Sequence, residues 1–418
     1  MTETQNLTQL SFIPDYSSKH YELFEVDPSL LDGIMNGNQT MKIKSYQQGM
    51  IKTAALCSND ATYKLKKSET SNTLFVVGLT SGQIYKQTSV TVDLERTQTN
   101  KWQVAKVIMQ YPLFSNAEEG QLEQEIQAIS REQILKSCQI SEGELNQVLQ
   151  TEEKFEFYIT ETYPGKYSFF DPLSLYQLVD SLMIFINQQQ ELVEIDAEFI
   201  LLNHDGIIND KFTQNSKIID YALNFIADRI EGTDQFTLNK QKIVKSIAHA
   251  MLYVKGDFYL GEFINALKHA LDIAMPSFLQ NQDQLMEDVS IKQTAVQDPA
   301  SNLFEYYQGY DLSFLKGSAI IIPVSDLKMA QKQDDVIRLL HPYYSGEFDY
   351  VNGSLEKRLE ALFEIKDKWT HQELAQYLKK FVEIGVSFDT YLMKNVKMIK
   401  EKNPFDSSKD IAYYMKKF

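Results

Sequence analysis

The sequence predicts an α+β protein in which a β-rich N-terminal region precedes a longer region of helices and hairpins. Three observations support this prediction. From Tyr21 to about Leu94, short apolar runs alternate with turn residues at the spacing of a small antiparallel sheet or barrel. Beyond residue 116, apolar residues recur with helical periodicity. Signals for helix, turn, helix and hairpin then follow one another repeatedly, which is the element order of a winged helix.

Length and composition bound the class of protein. A chain of 418 residues can hold two to four domains, and it contains no apolar run approaching the roughly 20 residues of a membrane span. Its two cysteines, Cys57 and Cys138, lie far apart, which predicts reduced thiols rather than a metal site or a disulfide framework. The net charge of -16 disfavours indiscriminate binding of nucleic acid over the whole surface.

We predict four domains. Residues 1–115 form an antiparallel β-barrel, and three winged helices follow over residues 116–192, 193–350 (with insertions) and 351–418. In the barrel, the polar cluster Ser68–Asn72 predicts a turn between strands at 62–65 and 74–77. Because the region has few strands, we expect open sheet edges that need to be covered.

Two helix-start signals predict the first winged helix. Ser130 with Gln133, and Ser141 with Glu144, each fit a capping box, in which the two side chains satisfy free backbone N–H groups. The sequence predicts helices over about 131–138, 142–150 and 175–186, and strands over 155–159 and 166–170 joined across Pro164-Gly165.

The rest of the chain repeats this plan. Apolar spacing predicts helices over about 219–230, 243–251, 260–271 and 355–363, a strand over 317–324, and a polar loop over 277–302. Thr370 and Glu373 form another capping box, which opens a helix to about Phe381. A last long helix is predicted from Phe388 to about Lys402, where Asn403-Pro404 stops it and leaves a wing or tail.

No motif in the sequence indicates catalysis. The chain lacks the G-x-x-x-x-G-K-[ST] loop of ATPases and the H-E-x-x-H, C-x-x-C and G-x-S-x-G motifs. His204-Asp205-Gly206 would place a histidine beside a carboxylate as a general base, but Asp-Gly is a strong turn pair and a turn is the favoured interpretation. We therefore predict a protein without enzymatic activity, cofactor or metal.

Lysines near the C-terminus are the candidate nucleic-acid contacts. Residues 353–418 contain 13 Lys and Arg against 10 Asp and Glu, a net +3 within an acidic chain. Lys394, Lys397 and Lys400 are spaced by three along the predicted last helix, opposite an apolar stripe. In a winged helix, this helix enters the major groove. The basic character continues through Lys402, Lys409, Lys416 and Lys417. The alternative to a nucleic-acid contact is that these lysines form a solvated surface without a binding partner.

Three segments, in this order, resemble one known family. The first is Tyr21–Leu31, and the second, within 56–77, reads Leu-Cys-Ser, Thr-Tyr-x-Leu-Lys and Glu-Thr-Ser-Asn-x-Leu. The third, from Lys368 to Tyr377, reads Lys-Trp-Thr-x-x-x-Leu-x-x-Tyr. Together they resemble the Dcc family (defective in sister chromatid cohesion), accessory subunits of the alternative Ctf-type replication factor C clamp loader. The dense basic run that follows the barrel in that family is reduced here to Arg96, Lys101 and Lys106.

The resemblance implies a nuclear, non-catalytic accessory subunit of a sliding-clamp loader, acting in DNA replication and sister chromatid cohesion. The implied partners are the Ctf-type large and small clamp-loader subunits, the replication factor C small subunits, the catalytic subunit of DNA polymerase epsilon, the sliding clamp indirectly, and DNA through weak, non-specific contacts. No membrane is implied. The barrel would dock to the Ctf-type subunits through Tyr63, Leu65, Leu74, Phe75, Val76 and Val77. The first winged helix would contact the polymerase rather than DNA, because its second helix carries Glu142 and Glu144 and no lysine.

Two other classes of protein stay open on the sequence. A transcription regulator with tandem winged helices would be a stable monomer or homodimer that binds DNA sequence-specifically. An interaction scaffold built from winged helices would bind proteins and no DNA.

Overall fold

A computed structural model describes residues 11–12, 21–48, 51–78, 81, 83–97, 101–114, 127–151, 153–156, 158–189, 194–274, 312–315, 318–322, 335–339, 355–379, 382, 387–402 and 410–417. It confirms the predicted α+β class, with helices and several small sheets. The chain divides into two compact units: an N-terminal unit of residues 1–104 and 132–151, and a larger unit of residues 105–131 and 152–418.

One six-stranded sheet lies in the N-terminal unit. Its strands are β1 (Ser11–Phe12), β2 (Phe24–Glu25), β3 (Lys42–Gln48), β4 (Ile51–Cys57), β5 (Thr62–Val77) and β6 (Gln83–Arg96). The strand order is β1-β6-β5-β4-β3, and β2 also pairs with β6. Strands β3 to β6 are antiparallel, as predicted, whereas β1 and β2 run parallel to β6. Within the described residues the edge strands β1 and β3 do not pair, so the predicted barrel is not closed there.

The core of this sheet forms around a short helix, α1 (Pro28–Met35). Asp27 caps α1 by accepting a 2.9 Å hydrogen bond from the backbone N–H of Leu30, and Pro28 occupies the first helical position, where its missing N–H costs nothing. Leu30 is thereby placed against Leu56 and Tyr63, and all three side chains are buried.

The turn predicted at Ser68–Asn72 is wrong, because these residues lie within strand β5. The strand continues through this segment and pairs with β6 on both sides of it. Glu69 is opposite Val90 and Leu74 is opposite Thr88, so four residues of β5 face a single residue of β6. The polar residues therefore form an irregularity within one long ribbon, because both apolar flanks find the same partner strand.

Three further helices begin in or near this region: α2 (Lys101–Met109), α3 (Arg131–Ser137) and α4 (Glu142–Gln150). The last two agree with the predicted bounds. The capping box of α4 is present in both directions: Ser141 Oγ accepts from the backbone N–H of Glu144, and the Glu144 carboxylate accepts from the backbone N–H of Ser141.

Four three-stranded sheets occur in the described part of the larger unit. Their strands are β7 (Ile129–Ser130), β8 (Ile159–Tyr163) and β9 (Lys166–Phe169); β10 (Glu194–Ile195), β11 (Ala227–Arg229) and β12 (Phe236–Leu238); β13 (Asp257–Tyr259), β14 (Ala319–Ile322) and β15 (Val336–Leu339); and β16 (Trp369–Thr370), β17 (Val396–Lys402) and β18 (Asp410–Lys416). Each sheet is antiparallel and places its third strand between the first and the second. Two of these sheets lie within 193–350, where the sequence predicts one domain.

In each set, at least one helix comes between the first strand and the other two strands in the chain, and we call each set of three strands with the helices between them a module. The remaining α-helices in the described part of the larger unit are α5 (Glu153–Glu156), α6 (Pro172–Gln188), α7 (Ala197–Asn203), α8 (Asp210–Thr213), α9 (Ser216–Leu223), α10 (Lys240–Lys255), α11 (Leu260–Ala274), α12 (Leu355–Ile365), α13 (His371–Leu378) and α14 (Phe388–Asn395). Of these, helices α6, α10 and α12 lie between modules in the chain. This recurrence is one of topology, since no fixed period exists in the sequence.

Two predicted elements in this unit are wrong. Residues 155 and 156, the start of the strand predicted over 155–159, lie in helix α5, and β8 starts only at Ile159, after Tyr158 turns the chain with a positive φ of 52°. The helix predicted over 219–230 ends at Leu223, because residues 227–229 pair with β12. The loop predicted over 277–302 lies outside the described residues.

The last predicted helix is also wrong. Helix α14 ends at Asn395, and Val396 has extended dihedrals (φ -129°, ψ 161°) that begin β17. Seven residues from Val396 to Lys402 pair in unbroken register with Asp410–Lys416. Apolar residues at 396, 398 and 399 fit both the 3.6-residue period of a helix and the two-residue period of a strand. The segment is a strand because it forms a ladder of hydrogen bonds with β18.

Candidate nucleic-acid and partner interfaces

The structure redistributes the lysines that the sequence placed on one helix. Lys394 lies on α14, while Lys397, Lys400 and Lys402 lie on β17. Lys416 ends β18, Lys417 follows it, and Lys409 lies outside the described residues. We call the paired strands β17 and β18 the C-terminal ribbon. The candidate nucleic-acid surface therefore combines the end of a helix with this ribbon.

Three of the seven lysines are held by contacts within the protein. Lys417 Nζ donates hydrogen bonds to the backbone oxygens of Met393 (2.9 Å) and Lys394 (2.6 Å), which are free carbonyls at the C-terminus of α14. Lys402 Nζ is 3.0 Å from Asp410 Oδ1, and Lys416 Nζ is 3.7 Å from Glu364 Oε1. Lys417 thus connects the C-terminal end of α14 to the end of the ribbon, although its side chain stays exposed.

The side chains of Lys394, Lys397 and Lys400 are exposed and form no ion pair with the described residues. Because residues alternate between the two faces of a strand, Lys400 shares a face with Met398, and Lys397 shares the other face with Ile399 and Glu401. The two ribbon lysines therefore do not form the single stripe that helical spacing predicted.

The base of the ribbon is anchored by the Lys-Trp-Thr motif. Trp369 is 1% exposed, pairs with Tyr414 of β18, and donates its indole N–H to the backbone oxygen of Lys366 at 2.8 Å. Thr370 and Glu373 form the predicted capping box. The side chain of Lys368 reaches Glu401 on β17 at 2.5 Å, an ion pair that the sequence did not indicate. The motif therefore serves the packing of this module.

A histidine near the ribbon also makes a polar contact. His371 Nε2 lies 2.7 Å from Asp389 Oδ1, and its ring packs against Phe388 with centroids 5.2 Å apart. This contact joins the first turn of α13 to that of α14. Burial and the charge of Asp389 raise the pKa of the nearby Tyr414.

The predicted partner-binding residues on β5 divide into two groups. Tyr63 is buried in the core cluster and Leu65 packs against that cluster, so both support the sheet itself. Leu74, Val76 and Val77 are half-buried, and Phe75 is 47% exposed. Among the described residues, β5 pairs with β4 only through Thr62, Tyr63 and Lys64, so beyond Lys64 its second edge has no neighbouring strand. Of the six predicted partner-binding residues, the exposed Phe75, next to this open edge, is therefore the one most accessible to a partner.

The N-terminal unit also contains a groove that sequence reasoning missed. Its volume is about 600 Å³, and it lies between β3 and α3, lined by Lys42, Lys44, Glu132, Lys136 and Glu142 among others. Lys44 Nζ donates to the backbone oxygen of Leu135 (2.8 Å) in the last turn of α3 and to that of Ile140 (2.6 Å) between α3 and α4. Burial lowers the pKa of Lys44. No sequence signal identifies this lysine, because its partners lie more than 90 residues away.

The enzyme-like tripeptide is a turn, as predicted. The backbone N–H of Ile207 donates to the backbone oxygen of His204, and Asp205 and Gly206 both have positive φ. His249 contacts Ser318 Oγ at 2.8 Å. In the described part of the chain, no three His, Cys, Asp or Glu residues are grouped so that they could hold a metal ion. Among the same residues, no helix is long and apolar enough to cross a membrane.

These features define a modular α+β protein whose candidate sites are exposed surfaces, in particular an open sheet edge and a lysine-bearing ribbon. The family model for the sister chromatid cohesion protein Dcc1 matches residues 21–378, which is most of the chain. The chain therefore belongs to the Dcc1 family, as its three sequence segments predicted. It is also 20% identical over 417 residues to the probable sister chromatid cohesion protein DCC1 of Dictyostelium discoideum, with 92% of each chain covered. The family match ends before the C-terminal ribbon.

Proposed function

We propose that this protein is a non-catalytic accessory subunit of an alternative, Ctf-type sliding-clamp loader and acts in DNA replication and sister chromatid cohesion. Its family membership over residues 21–378 carries the proposal, since the family is named for cohesion. In the proposed assembly it contacts the large and small Ctf-type subunits, and through them the replication factor C small subunits and the sliding clamp. Such a role places the protein in the nucleus.

The open edge of β5 supports partner docking at the N-terminal unit. A strand with unpaired N–H and C=O groups is a template for a strand from another chain. Phe75, at 47% exposure, supplies an apolar anchor beside that edge, and the half-buried Val77 follows it on the same face of the strand. We propose this surface as the contact with the Ctf-type subunits.

Co-purification from cells tests this proposal. The chain, tagged at its natural locus, is expected to recover clamp-loader subunits identifiable by mass spectrometry. Phe75→Asp should abolish their recovery, because a charge would be buried at the anchor. The matched control is Met35→Asp, which changes another exposed apolar side chain (77% exposed) of the same unit and should leave recovery unchanged. Recovery of transcription machinery instead of clamp-loader subunits would reject the proposed role. Unchanged recovery of clamp-loader subunits with Phe75→Asp would reject the proposed surface.

The repeated sheets support a winged-helix assignment for the modules of the larger unit. Strand, helices and hairpin in that chain order, with the third strand central, are the features of a winged helix. We propose that the last module, with its exposed Lys394, Lys397 and Lys400, contacts DNA backbone phosphates. Lysine acts here as a point charge and lacks the bidentate reach of arginine to guanine, so the binding should be weak and indifferent to sequence.

We propose a different role for α4, which lies in the N-terminal unit and is the second helix between β7 and β8 in the chain. Its exposed residues are Glu142, Gln147 and Gln150, and it contains no basic side chain. Phosphates would repel this surface, whereas a protein surface need not. The catalytic subunit of DNA polymerase epsilon is the partner that we propose for it, consistent with family resemblance.

A further inference from the structure

Helix α9 is largely covered by the residues around it. None of its eight residues, Ser216 to Leu223, is exposed, and five of them are buried: Ile218, Ile219, Tyr221, Ala222 and Leu223. Helix α14 takes the same place in the last module, as the last helix before the hairpin, and there Asp389, Thr390, Met393 and Lys394 are all exposed. The two helices therefore have the same topological position and opposite accessibility.

Part of the cover over α9 comes from the hairpin of strands β8 and β9. Asn215 Nδ2 donates a 2.6 Å hydrogen bond to the backbone oxygen of Thr162 on β8. The same side chain caps α9, because its Oδ1 accepts from the backbone N–H of Lys217 at 3.0 Å. Lys217 Nζ lies 3.8 Å from Glu161 Oε2 on β8. One residue thus caps the helix and ties it to the hairpin.

Aromatic side chains fill the contact behind these polar groups. The ring of Tyr221 on α9 stacks on Phe170, directly after β9, with centroids 5.8 Å apart, and lies 5.1 Å from Phe155 on α5. Just beyond α9, Phe225 lies parallel to Tyr158 at 6.1 Å. Because aromatic rings from the helix and from the residues around the hairpin pack together, the contact between them is part of a hydrophobic core.

We infer that hairpin β8–β9 and helix α9 form a fixed internal joint, which means that they pack as one unit and open together. In this joint, α9 is the helix on which the hairpin of the preceding module packs. The helix position that reads a DNA groove in a winged helix is here used for packing within the chain. The body of the hairpin is likewise packed, since Thr162 on β8 and Tyr167 to Phe169 on β9 are buried. This inference concerns coupling inside the chain and stands or falls independently of the proposed clamp-loader role.

Hydrogen exchange of the full chain, followed by mass spectrometry, tests the joint from the hairpin side. Gly165 turns the hairpin with a φ of 70°, and a Cβ placed there would meet no atom within 4 Å, so Gly165→Ala adds backbone strain alone. Exchange should become roughly fivefold faster in the hairpin and by a similar factor in α9. The control Gly37→Ala adds the same strain in the N-terminal unit (φ 72°, open space) and should leave α9 unchanged.

A second variant tests the joint from the helix side. Asn215→Asp keeps the capping oxygen but replaces the amide that donates to Thr162, so exchange should quicken in β8 as well as in α9. The matched control is Asn209→Asp, since Asn209 caps α8 in the same way, and this change should leave β8 unchanged. If either variant speeds exchange only in its own element, the hairpin and the helix open separately and the joint is rejected.

Discussion

The hydroxyl of Thr62 at the start of β5 donates a 2.5 Å hydrogen bond to the buried carboxylate of Glu144 on α4, 82 residues away in the chain. Glu144 Oε2 also accepts from the backbone N–H and the hydroxyl of Ser141. The same carboxylate that completes the capping box of α4 therefore binds the N-terminal sheet. Nearby, the backbone N–H of Gly143 donates to the backbone oxygen of Asn59 at 2.8 Å.

The first prediction concerns this contact. Thr62→Val keeps the shape of the side chain and removes the hydroxyl, so a buried carboxylate loses one of its donors and the backbone N–H of Ser141 loses an acceptor. Loss of a buried hydrogen-bond partner costs about 1–3 kcal/mol. We expect exchange of the α4 amides to become roughly 5- to 150-fold faster, measured by mass spectrometry.

Thr73→Val is the matched control for this change, because Thr73 is an exposed residue of the same strand. It should leave α4 unaffected. Equal effects of the two changes would mean that the Thr62 hydroxyl contributes nothing specific to the docking of α4.

The second prediction concerns the extent of the N-terminal folding unit. The partners of Lys44 and Thr62 lie in residues 135–144, beyond the boundary at 115 that the sequence indicated for the first domain. A fragment of residues 1–115 leaves these buried polar groups unpaired and should aggregate or exchange rapidly throughout β3 to β5. Extending it to residue 151 should restore protection in those strands. If both fragments are equally protected, α3 and α4 are not required for the sheet to fold.

The sequence predicted elements whose causes are local and missed those whose causes are distant. Helix α4 follows from Ser141 and Glu144, three residues apart, and both its start and its end agree with the structure. The end of α14 depends instead on pairing between β17 and β18 across the intervening residues 403–409. The second role of Glu144 was equally invisible, because nothing near it in sequence indicates Thr62. This is why the α+β class was predicted correctly, while the closed barrel was not found in the described residues and the lysine surface was predicted with the wrong geometry.

The third prediction concerns the reactivity of Cys138. Burial raises the pKa of this thiol to about 12, although the charge of Lys44 acts in the opposite direction. Only the thiolate is nucleophilic, and at pH 9 roughly a thousandth of a thiol with such a pKa is ionised. In a Cys57→Ser variant, which leaves Cys138 as the single thiol, alkylation by iodoacetamide at pH 9 should be at least about 100-fold slower in the native chain than in the denatured chain.

Between pH 9 and pH 11, the native rate should rise about tenfold per unit, as the thiolate fraction does while the pH stays below the raised pKa. The denatured chain provides the control, because its thiol titrates near the ordinary value and its rate levels off over the same range. A native rate that levels off near pH 9 would contradict the raised pKa.

The last prediction separates the two faces of the C-terminal ribbon. On the face with Lys400, Lys402 is paired with Asp410, and opposite Lys400 lies the small Ala412, which leaves room for a phosphate backbone to approach. On the face with Lys397, Glu401 is paired with Lys368, and the larger Met415 lies opposite Lys397, which leaves less room for that approach. Because a duplex meets a narrow ribbon from one side, Lys400→Ala should reduce the magnitude of the salt slope of duplex binding by ~0.9, and Lys397→Ala should leave it unchanged.

Affinity of the full chain for duplex DNA across a salt series is the deciding measurement, with Lys397→Ala as the matched control on the same strand. Replacing Lys394, Lys397 and Lys400 together should then reduce the slope by about 2 units, at ~0.9 for each of the two contacts that Lys394 and Lys400 make. A reduction near 3 units would require both faces of the ribbon to touch phosphates at once. An unchanged slope in the triple variant would move the DNA contact to another surface. An absence of DNA binding in both the wild type and the variants would favour a scaffold that binds proteins alone, since the lysines would then be a solvated surface.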